Sequence, residues 1–197
     1  MSFGRSCSRD TRRPRARSLG RSLCSPSDSE IVGRLRDEAD AVLGERPPEF
    51  ADATRLPLIS AVIDEAMRLY PPGWAFDRQA IDEDTIAGFR VPAGALVVVS
   101  PWVVHRDRRV WNRPREFDPS RFAPGQAAGR SRFAYFPFGD GPRICIGEEL
   151  ALAEARLIVA MTLQRFRLRP APGWKIAVDP SVTLGPRHGV WTLLERT

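Results

Sequence analysis

The segment Phe138-Gly-Asp-Gly-Pro-Arg-Ile-Cys-Ile-Gly147 decides how the rest of this sequence is interpreted. Its first two glycines permit backbone conformations that are closed to other residues, so the segment can form a tight loop beneath a flat ligand. Cys145 lies where helical periodicity begins, and the free N–H groups of a helix N-terminus favour a thiolate. Gly147 leaves room for a macrocycle close to the backbone, and Arg143 is placed to pair with a carboxylate on that ligand. A bare cysteine in a glycine-rich turn is more often a buried structural residue, and the full ten-residue pattern is what favours a ligand.

Three stretches have the apolar periodicity of amphipathic helices. The first runs from Ile31 to Leu43 and ends at Gly44, which supplies a stop signal. The second runs from Leu58 to Leu69 and ends before Pro71-Pro72, because proline cannot continue a helix. The third runs from Ile146 to Phe166, directly after the cysteine.

Short strands and loops fill the remainder of the sequence. Thr85–Val91 and Ala95–Ser100 flank Pro92-Ala-Gly94, a pattern that predicts two strands joined by a hairpin-like turn. Asn112–Gly141 is rich in Pro, Gly, Arg and Phe without any period, which predicts a long ordered loop of the kind that is usually functional. The predicted fold class is mainly α with small β-sheets (α+β).

The formal charge of +6 is confined to the N-terminus. Met1–Cys24 contains seven arginines against Asp10, so this segment carries the whole excess and the remaining residues sum to zero. A nucleic-acid-binding domain is basic over its folded surface, so no nucleic-acid partner is predicted. We expect residues 1–28 to form a disordered Arg/Ser-rich tail and residues 29–197 to form the folded part. Such a start is also typical of an organellar transit peptide, but no clean apolar face accompanies it here.

The number and spacing of the cysteines indicate the redox compartment of the protein. Cys7, Cys24 and Cys145 are widely scattered and no C-x-x-C pair occurs, which argues against a disulfide framework or a structural zinc site. This usage fits a reducing compartment and predicts a cytoplasmic protein. The longest apolar run, Ala95–Val99, has the length of a strand, so no membrane span is predicted in this chain.

The loop around Cys145 resembles the cysteine-ligand loop of the cytochromes P450, Phe-x-x-Gly-x-Arg-x-Cys-x-Gly, at every specified position. The resemblance implies a partial cytochrome P450 fold, its C-terminal haem-binding part, with haem b (iron protoporphyrin IX) as the cofactor. It implies that Cys145 is the proximal ligand of the iron, that Phe138 packs near the thiolate and that Arg78 binds a haem propionate. The cofactor-binding residues so implied are Arg78, Phe138, Arg143, Cys145 and Gly147.

Motifs upstream of the cysteine support the same resemblance. Glu65-Ala-Met-Arg68 places an acid and a base three residues apart on the second predicted helix, a spacing that is common on helix surfaces. Here it precedes Phe117-Asp-Pro-Ser-Arg-Phe122, and the resemblance implies that Glu65, Arg68 and Arg121 form a buried network. Such a network is costly to bury unless all partners are present. The resemblance also implies four candidates for lining a substrate pocket: Gly73, Trp74, Ala75 and Phe76.

The triplet His105-Arg-Asp107 also occurs in the catalytic loop of protein kinases. No Asp-Phe-Gly follows it and no glycine-rich phosphate loop precedes it, so a kinase is not indicated. We predict that His105 has a structural role.

The resemblance runs from about Ser29 to the C-terminus, which corresponds only to the C-terminal portion of a typical family member. The central helix whose acid–alcohol pair delivers protons in that family has no counterpart here, so we expect this chain by itself not to oxygenate a substrate. The family function it implies is a haem-thiolate monooxygenase, an oxidoreductase that places one oxygen atom from O2 into a small apolar substrate. A separate redox partner, a ferredoxin or a flavoprotein reductase, would supply electrons, because no flavin- or nicotinamide-binding pattern is present. Two alternatives remain open: a non-catalytic, truncated haem-binding remnant, and a small structural or interaction domain in which Cys145 is structural.

Overall fold

The computed structural model describes residues 26–126, 128–173 and 177–196 of the chain. Its helices are α1 (Pro26–Leu43), α2 (Pro57–Leu69), the single turn α3 (Pro101–Val104) and α4 (Glu148–Arg165). The three longer helices confirm the periodicity in the sequence. Helix α1 ends where the N–H of Gly44, a residue with a φ of 56°, donates to the carbonyl of Asp40 at 2.9 Å.

Two side chains of α1 bind backbone groups at the ends of the helices beside it, α2 and α4. The two carboxylate oxygens of Glu38 accept the backbone N–H groups of Leu58 and Ile59 at 2.8 and 2.9 Å, at the N-terminus of α2. At the other side, Arg36 donates to the carbonyls of Leu163 and Phe166 at the C-terminus of α4. Helix ends have backbone groups without intrahelical partners, so these two side chains satisfy groups that would otherwise be left unpaired.

The hydrophobic core lies where α1, α2 and α4 meet. Each helix contributes small or branched apolar side chains to it, which allows the backbones to approach closely. The buried members of this core are Leu35, Ala39, Leu43, Leu56, Ile59, Ala160 and Leu163.

Among the described residues the strands form four two-stranded antiparallel sheets. The pairs are β1 (Phe76–Gln79) with β4 (Leu96–Val99), β2 (Asp84–Ile86) with β3 (Phe89–Val91), β5 (Phe166–Pro170) with β8 (Thr192–Arg196), and β6 (Val178–Pro180) with β7 (Leu184–Pro186). The fold is therefore helical with small sheets, as the sequence predicts.

The predicted hairpin across residues 92–94 is wrong. Residues 85–91 do not form one strand, because the chain reverses at Ala87-Gly88, where both residues have positive φ, and β2 pairs with β3. Strand β4 instead pairs with β1, with Phe76 opposite Val99. The turn at residues 92–95 is real, and its Gly94 N–H donates to the carbonyl of Ala80 at 2.8 Å, so it helps to bring β4 back to β1.

The long loop predicted from residue 112 is ordered by three short 3-10 turns: Pro119–Phe122, Arg132–Ala134 and Gly141–Arg143. Residues 1–25 lie outside the described part, so the division at residue 28 stays a prediction. None of the described helices combines the length and apolarity needed to cross a membrane.

Candidate functional site

The loop from Phe138 to Gly147 is closed by its own backbone. The N–H of Cys145 donates to the carbonyl of Phe138 at 3.0 Å, and the N–H of Ile144 donates to that of Gly141 at 3.1 Å. Gly139 and Gly141 have φ values of 82° and 73°, a region that residues with a Cβ rarely adopt. The glycines therefore allow the chain to return on itself within eight residues and to hold Cys145 at the outside of the loop.

Cys145 lies just before the long helix, which begins two residues later than the sequence pattern predicts. Helix α4 starts at Glu148 with Gly147 at its N-cap, where no side chain supplies a capping hydrogen bond. The thiol is free and exposed, and the residues around it are apolar and exposed as well: Ile144 is 50%, Ile146 103% and Leu150 56% exposed. A patch of this kind marks a surface that binds an apolar partner.

Arg132 anchors the cysteine loop to the preceding 3-10 turn. Its guanidinium makes a bidentate pair with the carboxylate of Asp140, with N–O distances of 2.9 to 3.2 Å. Asp140 also accepts the N–H of Gly141 at 2.6 Å. This pair has no signature in the sequence, because an arginine eight residues before an acid in an irregular loop has no defined spacing.

Glu65 and Arg68 form a fully buried ion pair at the centre of the fold. The Nε and Nη2 atoms of Arg68 donate to the two carboxylate oxygens of Glu65 at 2.6 and 2.7 Å, and neither side chain is exposed. Arg68 also donates to three backbone carbonyls, that of His105 at the end of α3 and those of Pro114 and Glu116 in the long loop, at 2.7 to 3.1 Å. One helix residue therefore fixes the path of residues 105–116.

Arg121 completes the cluster from the 3-10 turn at 119–122. Its Nε lies 3.5 Å from the Oε1 of Glu65, close enough for an ion pair although its N–H is not aligned for a hydrogen bond. The same Oε1 accepts the backbone N–H of Asp118 at 2.8 Å. The structure thus brings together the three residues that the resemblance placed in one network, with a weaker contact to Arg121 than to Arg68.

His105 is buried beside this cluster, which agrees with a structural role. Its Nε2 accepts the backbone N–H of Phe136 at 3.0 Å, so this nitrogen is unprotonated. Burial, together with the positive charge of Arg68, lowers the pKa of His105 to about 4. The neutral ring positions the segment that leads into the cysteine loop.

The segment from Gly73 to Phe76 lies against the chain that precedes the cysteine loop. A Cβ added at Gly73 would stand 3.6 Å from the carbonyl oxygen of Pro137, and the ring of Phe76 meets that of Phe136 edge-on at 6.2 Å. Trp74 donates from its indole Nε1 to the carbonyl of Ser181 at 2.9 Å, which ties this segment to the turn between β6 and β7.

The two candidate propionate-binding arginines are both exposed. Arg78, on β1, donates to the carbonyl of Asp77 at 2.8 Å, and its guanidinium lies 5.1 Å from the ring centre of Phe76. Arg143 lies in the 3-10 turn just before Cys145. Neither guanidinium forms an ion pair with a residue in the described part of the chain, so both are available to an anionic group.

A second polar contact, half-buried, has no signature in the sequence. The hydroxyl of Tyr135 donates to the carboxylate of Asp64 at 3.0 Å and lies 3.1 Å from the carbonyl of the same residue, which connects α2 to the loop before the cysteine. Burial raises the pKa of Asp64 and strongly raises that of Tyr135. An acid and a tyrosine separated by 71 residues give no local pattern that could have indicated this pair.

Comparison with known proteins agrees with this geometry. The family profile described as cytochrome P450 matches residues 27–190. Cyclooctatin synthase from Streptomyces melanosporofaciens is 44% identical over 154 residues, 77% of this chain and 34% of that protein. Thromboxane-A synthase from Mus musculus is 35% identical over 162 residues, 80% of this chain and 30% of that protein. The crystal structure of the cytochrome P450DA heme domain superimposes with a TM-score of 0.81 at 26% identity, over 93% of this chain and 41% of that one.

The chain belongs to the cytochrome P450 family. It spans about a third of the length of the curated relatives it matches. Members of this family bind haem, and the residues around Cys145 fit that group. An exposed thiol stands among exposed apolar side chains, where a flat macrocycle can cover them. A Cβ on Gly147 would lie 3.9 Å from the Sγ of Cys145, so glycine at this position keeps the approach to the sulfur open.

Proposed function

We propose that this chain forms the thiolate side of the haem pocket of a monooxygenase, with Cys145 as the iron ligand. The observation that carries the proposal is the exposure of this thiol on a closed glycine loop, surrounded by exposed isoleucine and leucine side chains. Structural cysteines are usually buried, so the exposed thiol argues against the alternative of a small interaction domain with a structural cysteine.

The other residues have distinct proposed roles around haem b. Arg78 and Arg143 would bind the carboxylates of the macrocycle, because exposed guanidiniums without ion-pair partners in the described chain are suited to charge-assisted pairing. Phe138, whose carbonyl oxygen closes the loop, would pack beside the sulfur, and Gly147 would leave the sulfur accessible. When bound, the haem supplies oxygen activation, which thiolate ligation favours.

The buried cluster has a positioning role. Glu65 and Arg68 do not approach the sulfur themselves; they hold residues 105–118, and His105 in turn holds Phe136 just before the cysteine loop. A rigid surround of this kind keeps a ligand atom in its productive place.

The substrate and partners follow from the same proposal. Trp74, Ala75 and Phe76 support a small apolar substrate, since this segment lies against the chain leading to Cys145. The electrons would come from a separate redox partner, a ferredoxin or a flavoprotein reductase. The scattered cysteines support a location in the cytoplasm.

The haem assignment is tested by the ferrous–CO spectrum of the 197-residue chain reconstituted with haem. The expected result is the red-shifted Soret band of thiolate ligation, lost in Cys145→Ala. Cys7→Ala and Cys24→Ala are matched controls that should leave the band unchanged. A band that persists in Cys145→Ala would falsify the assignment.

Turnover is a separate measurement. Haem-loaded chain is assayed for oxygenation of apolar substrates with a surrogate reductase or with peroxide. Oxygenation by the chain alone would exclude the non-catalytic haem-binding alternative, and it would contradict the expectation that this chain by itself does not oxygenate a substrate.

A further inference from the structure

The cysteine loop contains a single acid, Asp140, five residues before Cys145. No other acid occurs in the sequence between Asp118 and Glu148, a stretch that contains four arginines. The next acids, Glu148 and Glu149, lie in the first turn of α4, where the positive end of the helix dipole offsets their charge. Asp140 is therefore the one carboxylate of the loop whose charge no helix end offsets.

The closure of the loop holds Asp140 close to Cys145. The N–H of Cys145 donates to the carbonyl of Phe138 at 3.0 Å, and Asp140 lies only two residues after Phe138. Two residues extend over about 7 Å at most, so the Cα atoms of Asp140 and Cys145 lie within about 14 Å of each other. The carboxylate is also fixed in direction, because its Oδ1 accepts the N–H of Gly141 at 2.6 Å. Its charge therefore acts on any group that is bound at the sulfur.

Arg132 compensates the charge of Asp140. Its Nη2 donates to both carboxylate oxygens at 2.9 Å, and its Nε donates to Oδ2 at 3.2 Å. The guanidinium also lies over the ring of Phe133, 4.8 Å from the ring centre, which restricts its movement. The opposite charges are separated by only a few ångströms, so together they produce a much weaker field at the sulfur than either charge alone.

We propose that Arg132, by compensating Asp140, keeps the reduction potential of haem bound at Cys145 higher than the acid of the loop alone would allow. The inference rests on the proposed function, in which Cys145 is the iron ligand. One-electron reduction adds a negative charge at the iron, so an unpaired carboxylate nearby disfavours reduction and an unpaired guanidinium favours it.

The size of the effect follows from the distance. With an effective dielectric constant between about 80 and 20, a unit charge at about 14 Å changes the ratio of ferrous to ferric haem by about twofold to eightfold. For a one-electron couple this corresponds to a shift of about 20 to 50 mV. The side chain of Arg132 is 71% exposed, so the shift should be largest at low ionic strength.

The test is a potentiometric titration of the haem-reconstituted 197-residue chain at low ionic strength. Arg132→Gln leaves the carboxylate of Asp140 without its counterion and should lower the potential by about 20 to 50 mV. Asp140→Asn leaves the guanidinium alone and should raise the potential, while its amide oxygen can still accept the N–H of Gly141. The double variant Arg132→Gln/Asp140→Asn removes both charges and should return to the potential of the parent chain.

The opposite signs separate a charge effect from a purely structural one. If the pair only held the loop, both single variants would lose the same contact, and their potentials would move in the same direction. The ferrous–CO spectrum of each variant should keep the band of thiolate ligation, which shows that Cys145 is still the ligand. Arg169→Gln is the control, because it breaks an exposed pair with Glu195 beyond the far end of α4, whose 18 residues span about 27 Å. Its potential should equal that of the parent chain.

Each remaining outcome decides between the two assignments. Opposite shifts that shrink as sodium chloride is added would support the charge effect. Shifts of the same sign, no shift in either variant, or a shift in Arg132→Gln that the double variant does not reverse would overturn the role of Arg132 and leave the haem site in place. A reconstituted parent chain without the thiolate-type band would refute the haem site itself, and the role of Arg132 with it.

Discussion

Replacing Glu65 by alanine should be among the most destabilising single changes in this protein. The carboxylate accepts two hydrogen bonds from Arg68 and one from the N–H of Asp118, and it also pairs with Arg121. Its removal leaves Arg68 fully buried and charged without a counterion. Charge-assisted hydrogen bonds contribute about 1.5–3 kcal/mol each, so the two bonds to Arg68 correspond to about 3–6 kcal/mol. Arg68 keeps its bonds to three backbone carbonyls, which places the expected loss at about 3–5 kcal/mol, the usual cost of breaking a buried pair.

Urea denaturation followed by circular dichroism measures this loss. With a slope of about 2 kcal/mol per M, the midpoint should fall by about 2 M. Glu195→Ala is the matched control, since Glu195 pairs with Arg169 at 3.3 Å on the exposed surface and its loss should cost about 0–1 kcal/mol. The double variant Glu65→Ala/Arg68→Ala should be less destabilised than the sum of the two single variants, because it removes both charges. Equal midpoints for Glu65→Ala and Glu195→Ala would refute the reasoning.

Three further predictions concern residues around the cysteine loop. Burial lowers the pKa of His105 to about 4, below its unfolded value of about 6.5. The contribution of His105 to the free energy of unfolding is therefore complete above pH 6.5, and about 3 kcal/mol of it is lost as the pH falls to about 4. His105→Gln should flatten the pH dependence of the free energy of unfolding over this range, and an unchanged slope would contradict the assignment. Gly139 has a positive φ, so Gly139→Ala should lower the free energy of unfolding in urea by about 1–2 kcal/mol. Gly147 has a φ of −89°, so Gly147→Ala should leave that free energy unchanged but weaken haem retention in gel filtration. A larger loss of stability in Gly147→Ala than in Gly139→Ala would show that the loop is not built as described. Tyr135→Phe keeps the ring contacts but removes the hydroxyl that donates to Asp64. The urea midpoint should therefore fall by an amount equivalent to about 1–3 kcal/mol. An unchanged midpoint would mean that water replaces the hydroxyl.

The sequence by itself determined the features that depend on neighbouring residues. The helices follow from apolar periodicity and from glycine or proline stops, which act over a few residues. The tight cysteine loop follows from the positions of its glycines, two of which have positive φ. The pairing of Glu65 with Arg68 is also local, because residues three apart on a helix are neighbours.

The tertiary structure decided what depends on distant parts of the chain. The carbonyls that accept from Arg68 lie 37 to 48 residues away, and β1 pairs with β4 across an intervening hairpin that sequence patterns assigned differently. The Tyr135–Asp64 contact and the burial of Trp111 against the guanidiniums of Arg68 and Arg130 are of the same kind. Local propensity cannot specify such contacts, because they are fixed by which packing of the whole chain buries its apolar surface while satisfying its polar groups.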